Sequence, residues 1–262
     1  MPDEFGGHAN NGLEMKRGLV ISDLHLFSPR SEGNRLLSER MDEVTQADVL
    51  VLNGDVFDFR WSELSDQSVT ISAAIDWLNQ LLEKFYGESI HYVLGNHDCL
   101  SAFTSRLDDL AKANPKFSCH EHRLILNRSL FLHGDCANRK MDENMFKQYR
   151  SAWSSHRQRG KVGKILYQLA DATGLSRRFH EQHFPQAVTV ERVAHHLDHI
   201  FPAWRDEIDD VFFGHTHRPF TRHAHEGVRF HNTGSGIRSM GFLPLPFIAE
   251  SHQTSWHQAA VS

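Results

Sequence analysis

Apolar residues follow two alternating rhythms in the first half of the chain. Short unbroken runs at 18–22 (GLVIS), 49–53 (VLVLN) and 90–94 (IHYVL) read as buried strands. Between them lie stretches with helical spacing. Residues 34–44 place Leu36, Leu37, Met41 and Val44 on one side, and residues 72–86 do the same with Ile75, Leu78, Leu81, Leu82 and Phe85. Residues 102–113 form a shorter helix stopped by Pro115. A hairpin pattern follows, with 123–126 and 129–132 flanking Asn127-Arg128. Strands separated by helices pair in parallel, within a sheet covered on both faces.

The rhythm then changes, and residues 140–204 contain no convincing strand. Val190, Val193, Ala194, Leu197, Ile200 and Phe201 recur at helical spacing. Val162, Ile165, Leu166 and Leu169 begin a second such face, with Lys161 and Lys164 turned away from it. Strand runs return at 210–213 (DVFF), 228–231 (VRFH) and 247–249, the last two suited to a smaller, partly antiparallel sheet. The pattern predicts an α/β fold: a two-sheet sandwich flanked by helices, with a helical cap insertion at about 138–205. No repeat or low-complexity tract interrupts it. Residues 1–16 are polar and Gly/Asn-rich, without the basic start and apolar run of a secretory signal. They read as a disordered leader before a single domain of residues 17–262, and no run approaches the roughly 18 apolar residues that span a bilayer. The expected location is the cytoplasm.

Composition adds three points. The three cysteines, Cys99, Cys119 and Cys136, are too few and too scattered for a disulfide framework and lack zinc-finger spacing, so they read as reduced thiols. Histidine is the outlier: 20 residues, roughly three times the usual share. The net charge of −5 is uneven, because residues 139–178 hold ten Lys/Arg against three Asp/Glu, a net of +7, leaving −12 on the rest. A basic segment on an acidic body suits either an anionic partner or a solvated helical face. The acidic balance, with no aromatic-basic motif, argues against nucleic acid as a partner.

The chemistry sits where the strands stop. After 18–22 comes Asp23-Leu24-His25; after 49–53, Gly54-Asp55; after 90–94, Gly95-Asn96-His97-Asp98. After the second hairpin arm comes His133-Gly134-Asp135, and after 210–213, Gly214-His215-Thr216-His217. In open α/β sheets the carboxyl ends of strands form the ligand crevice, so these side chains converge. Two residues apart in extended chain, Asp23 and His25 share a side, as do His215 and His217. The glycines at 54, 95 and 214 let the backbone turn and crowd nothing. Carboxylate, imidazole and amide oxygen together suit a borderline divalent ion such as Mn, Fe or Zn, and are too nitrogen-rich for a calcium cage.

Asp-x-His, Gly-Asp, Gly-Asn-His-Asp, His-Gly-Asp and Gly-His-Thr-His, in this order, resemble the calcineurin-like metallophosphoesterases over roughly residues 17–135 and 205–240. The resemblance implies two divalent metal ions, manganese first among the choices. Asp23, His25 and His217 would hold one ion, Asn96, His133 and His215 the other, and Asp55 would bridge them. A metal-bridging hydroxide would attack phosphorus in a phosphate ester or pyrophosphate. His97 would contact the phosphate or protonate the leaving oxygen, with Asp98 orienting its ring. Asp23, Asp55 and Asn96 would also serve as helix caps, but capping does not explain histidines at 25, 133, 215 and 217. His231 either supports a ligand or simply belongs to its strand. His91 reads as structural, and the pairs His195/His199 and His180/His183 read as surface residues.

The insertion, between His133 and the strand before His215, should decide the substrate. Arg150, Arg157, Arg159, Lys161 and Lys164 are candidates to pair with extra phosphates. Trp153, Ile165, Leu166 and Leu169 would either cover an acyl or aromatic group or pack onto the core. Gly-Asp-x-Phe-x-x-x-Trp at residues 54–61, with a basic helical lid, is similar to the bacterial UDP-2,3-diacylglucosamine diphosphatases of lipid A synthesis. That likeness implies a lipid-linked diphosphate substrate and peripheral contact with the inner membrane through the cap. The best-known branch of those enzymes reads Arg where this chain has His97. A phosphorylated small molecule as substrate, and a metal-bound interaction module without turnover, are the remaining readings.

Overall fold

The computed structural model describes residues 15–160, 163 and 175–250 and arranges their strands in two five-stranded sheets. In the first, β1 (Met15–Ile21), β2 (Val49–Asn53), β3 (Ser89–Val93) and β4 (Phe117–His120) run parallel, and β10 (Leu245–Glu250) pairs antiparallel with β1. The second has the order β5-β6-β7-β9-β8, from β5 (Arg123–Leu126), β6 (Ser129–Leu132), β7 (Asp210–Phe213), β8 (Phe220–His225) and β9 (Val228–Asn232). Its β6, β7 and β9 are parallel, while β5 and β8 add antiparallel edges.

Strand alternation builds the layers. Val20, Val49, Val51 and Val93, with Phe247 of β10, point from the first sheet to meet Leu124, Phe131 and Phe212 of the second in the space between the sheets. Each such buried side chain contributes about 1.5–3 kcal/mol. The opposite residues, Leu50, Leu52, Ile90 and Tyr92, pack beneath α3 (Gln67–Lys84) and α4 (Ser101–Ala113). On the far side of the second sheet, Leu130, Leu132, Val211, Phe213 and Phe230 pack under α5 (Glu143–Ser154), α7 (Gln186–Ile200) and α8 (Trp204–Glu207).

That last layer divides the expected cap. Val190, Val193, Ala194 and Leu197 of α7 are core residues under the second sheet, not part of a lid. What borders the crevice instead is α6 (Leu175–His183), whose His180 stacks on His217. Val162, Lys164, Ile165, Leu166 and Leu169, along with Lys161 and most of the expected leader, lie outside the described residues. Met15 and Lys16 belong to β1 and not to the leader.

Other differences have local causes. The helix expected at 34–44 is two short ones, α1 (Gly33–Ser38) and α2 (Met41–Thr45), separated at Glu39 and Arg40. Helix α3 starts earlier than its apolar face suggests because Asp66 caps it, accepting from Val69 N–H at 2.9 Å. Strand β10 does not join β9; it adds to the first sheet beside β1. Strands β4 and β8 carry little apolar signal: both are edge strands, and β8 is polar with a register shift between Phe220 and His223. Among the described residues, no helix is long and apolar enough to cross a membrane.

Candidate metal centre

The carboxyl ends of β1, β2 and β3 and those of β6 and β7 meet along one edge of the sandwich. Asn53, the last residue of β2, stitches the sheets together there: its Nδ2 donates to Leu132 O at 2.9 Å and Phe212 O at 3.2 Å. Asp23, His25 and His217 form one group of close donor atoms, and Asp55, His133 and His215 another. Between them, His25, Asp55 and His97 form a third.

The chain reaches these positions by turning off its strands. Asp23, His25, Asp55, His215 and His217 have φ of 53°, 48°, 50°, 61° and 55°. This left-handed conformation costs roughly 1–2 kcal/mol per L-residue. Asp23-x-His25 and His215-x-His217 therefore converge through paired left-handed residues, not through the extended alternation expected from spacing. At two glycines the need is room: a Cβ on Gly95 would lie 2.1 Å from Asp55 Oδ1, and one on Gly214 only 1.9 Å from Asp23 Oδ2.

The donor spacings suit shared cations. Metal–ligand bonds of about 2.0–2.2 Å put neighbouring donors on one ion roughly 3.0–3.5 Å apart. His25 Nε2 lies 3.1 Å from His217 Nε2, and His217 Nε2 lies 3.3 Å from Asp23 Oδ1. In the second group, His133 Nε2 is 3.3 Å from His215 Nδ1 and 3.2 Å from Asp55 Oδ2. His25 Nε2 is 3.8 Å from both Asp23 Oδ1 and Asp55 Oδ2.

Surrounding groups set the imidazole tautomers. His133 Nδ1 lies 3.2 Å from the Asn53 carbonyl, which accepts its proton and leaves Nε2 with a lone pair. His215 Nε2 donates to Asn138 Oδ1 at 3.0 Å, leaving Nδ1 as the donor atom. The Asp23 carboxylate accepts the His215 backbone N–H at 2.9 Å, locking β1's end to β7's. Asn96 Oδ1 and His217 Nδ1 are buried without a hydrogen-bond partner among the described residues. An amide oxygen left so in a ring of imidazoles and carboxylates fits a cation ligand. The field is strongly negative. Burial opposes a charged ring, yet Asp23, Asp58 and Asp55 pull His25 up to about 10, and Asp55 and Asp23 draw His133 up to about 9.

His97 sits on the rim, and its surroundings correct one expectation. Its Nδ1 lies 3.0 Å from Asp58 Oδ1, not against Asp98. Asp98 is buried below, where it accepts from Val56 N–H at 2.9 Å, Gly95 N–H at 2.6 Å and Tyr92 Oη at 2.6 Å, bracing the loop that carries Asn96 and His97. Burial and the charge of Asp55 raise the Asp98 carboxyl. For Asp58, burial pushes up, but His97 and His25 outweigh it and hold the carboxyl well below the usual range. The sequence signal for Asp58 was a further carboxylate three residues after Asp55.

Other candidates fall on either side. Arg150 is buried, with its guanidinium already engaged by both oxygens of Asp135 and by the Leu94 and Gly95 carbonyls, which fits a structural role better than pairing with a substrate phosphate. Arg157 and Arg159 are exposed on the segment after α5, and Lys161 lies outside the described residues. His180 is not a surface residue: it stacks on His217 with centroids 4.7 Å apart and 14° between planes. His231 bonds to Asp210 at 2.8 Å and stacks on Phe212, belonging to its strand. His91 is half-buried, with Nδ1 at 2.7 Å from Ser118 Oγ and 3.3 Å from His120 Nε2, a structural role. The cysteines are free thiols, and burial pushes Cys99 up to about 12, which keeps it unreactive.

A sandwich of two mixed sheets, with histidines, aspartates and an asparagine gathered at the strand ends, defines a metal-dependent phosphohydrolase architecture. Residues 17–219 match the model of the calcineurin-like phosphoesterases, and the chain belongs to that family, whose members are dinuclear metal-dependent hydrolases. No curated protein matches the chain at a significant level. Solved structures do. A predicted phosphoesterase from Streptococcus pneumoniae TIGR4 is 16% identical, with TM-score 0.38, over 90% of this chain and 84% of that one. The phosphopantetheinyl hydrolase of Mycobacterium tuberculosis is 16% identical, with TM-score 0.45, over 84% and 89%. A dimetal phosphatase from Danio rerio is 12% identical, with TM-score 0.47, over 90% and 96%.

Proposed function

We propose that the chain hydrolyses a phosphate ester or pyrophosphate using two divalent cations. Asp23, His25 and His217 hold one, Asn96, His133 and His215 hold the other, and Asp55 is shared. The observation that carries this reading is the place of Asp55, whose Oδ2 faces His25 Nε2 at 3.8 Å and His133 Nε2 at 3.2 Å. One carboxylate thus lies against a histidine of each donor group. The mixed nitrogen and oxygen set suits manganese first, with iron or zinc as alternatives. When bound, the pair supplies an activated water and neutralises charge on the phosphoryl oxygens.

The protein's own groups supply the rest. Asp58 holds the Nδ1 proton of His97, and when the ring carries a second proton on Nε2 that proton contacts the phosphate or passes to the leaving oxygen. Asp98 keeps the same loop in register through its three accepted bonds. Exposed Arg157 and Arg159, on a segment bonded to the Arg60–Leu64 stretch, favour a substrate with further anionic groups, as a lipid-linked diphosphate has.

Metal analysis of protein purified with manganese should find close to two ions per chain, and hydrolysis of a simple aryl phosphodiester should require them. A reproducible value near one at saturating metal overturns the shared Asp55. Two ions without turnover leave a metal-bound interaction module.

A further inference from the structure

The helical insertion does more than border the crevice: one of its side chains touches the residue assigned to proton transfer. Trp153, near the end of α5, places its indole 4.9 Å from the His97 ring, at 42°. On another side, the His25 ring meets His97 edge-on at 4.9 Å and 83°. Asp58 Oδ1 takes Nδ1 at 3.0 Å. The imidazole is thus held by two rings and one carboxylate, and its side chain is 15% exposed.

The indole is fixed in turn from below. The Arg60 guanidinium lies over it at 4.7 Å, a cation–π contact. Arg60 N–H and Trp61 N–H both donate to Asp58 Oδ1, at 3.1 and 3.0 Å. The carboxylate that holds His97 and the arginine that holds Trp153 therefore belong to one tight turn. The chain after α5 is latched to the same stretch. Arg159 N–H donates to Arg60 O at 2.8 Å, Gln158 Nε2 to Ser62 O and Leu64 O at 2.8 Å each, and Gln67 Nε2 to His156 O at 3.1 Å.

We infer that Trp153 is a positioning residue for His97, so the insertion contributes to turnover of every substrate, including those too small to reach its basic residues. The inference rests on the assignment of His97 to the leaving oxygen. An imidazole held on three sides keeps one orientation, whereas one freed of the indole can swing off Asp58 toward solvent, and misplacement of a reacting group by about 1 Å can cost 10²-fold.

The test is a mutant cycle on a small aryl phosphodiester with manganese. Trp153→Ala should lower kcat by about tenfold or more, with KM within about twofold and metal content unchanged. Trp153→Phe, which keeps a ring, should restore most of the rate. In a His97→Ala background, Trp153→Ala should have no further effect, because the residue it positions is gone. An equal loss in both backgrounds would overturn the inference, as would full activity of Trp153→Ala beside an inactive His97→Ala. Full activity of His97→Ala itself would instead remove the role given to His97. Should Trp153→Ala fail to fold, Trp153→Leu, which fills the space without a ring, carries the same cycle.

Discussion

Replacing Arg150 by methionine tests whether this residue serves structure or substrate. Its side chain joins three elements: Nε and Nη2 reach the two oxygens of Asp135 after β6, while Nη1 and Nη2 donate to Gly95 O at 3.1 Å and Leu94 O at 2.9 Å after β3. The arginine is 7% exposed and Asp135 1%. Methionine keeps the stem but leaves the Asp135 carboxylate buried without its counter-charge. Breaking one half of a buried pair costs about 3–5 kcal/mol, a large share of the roughly 5–15 kcal/mol that holds a protein folded. The loss should appear in urea unfolding of the metal-loaded protein as a lower midpoint at constant m, and in heating as a fall of roughly 10 °C. Asp135→Leu combined with Arg150→Met should recover at least half, because an apolar pair leaves no stranded charge. A loss under about 1 kcal/mol, or strictly additive single and double variants, would refute the argument. Reduced activity at unchanged stability would return Arg150 to the phosphate-binding role that the sequence suggested.

Other outcomes follow from the same geometry. His97→Ala should keep both metals and lose about 10²–10⁴ in turnover; release of a metal would show that His97 is a ligand. Burial holds His91 down to about 4, with His120 adding to it, and burial alone holds His120 down to about 4. The unfolded chain protonates these rings near 6.5 while the fold does not, so stability is unaffected above pH 7 and falls as pH drops from about 6.5 to 4. His91→Gln with His120→Gln should flatten the acid side of a Tm–pH curve, and an unchanged slope counts against this. Changing Arg157, Arg159 and Lys161 together to serine should cost at least about tenfold in kcat/KM on a lipid-linked diphosphate, at roughly 1.5–3 kcal/mol per charged hydrogen bond. The same change should leave a small aryl ester unaffected; equal losses on both substrates would point to folding damage.

Much of this protein is written locally. Runs such as VLVLN can be buried on both faces only in a covered parallel sheet, and the residue after each such strand falls at the crevice whatever the rest of the chain does. That is why the gathering of Asp23, His25, Asp55, Asn96, His133, His215 and His217 at one sheet edge was legible from position, while their separate roles came only from the resemblance. The indole on His97 and the ring of His180 on His217 were not, because they bring residues on separate helices to the sheet edge, and a contact across 56 residues of chain, as between His97 and Trp153, leaves no periodic trace. The partner of His97 was misread for a related reason. Asp98 is its neighbour in sequence, but successive side chains leave the backbone in different directions, and the turn after β2 brings Asp58 to the imidazole while Asp98 goes beneath the loop. The same holds for Arg150 and for α7: charge and helical spacing are properties of the sequence, but whether a cation meets solvent or Asp135, and whether an apolar face covers a substrate or a sheet, depends on which surface the fold sets opposite.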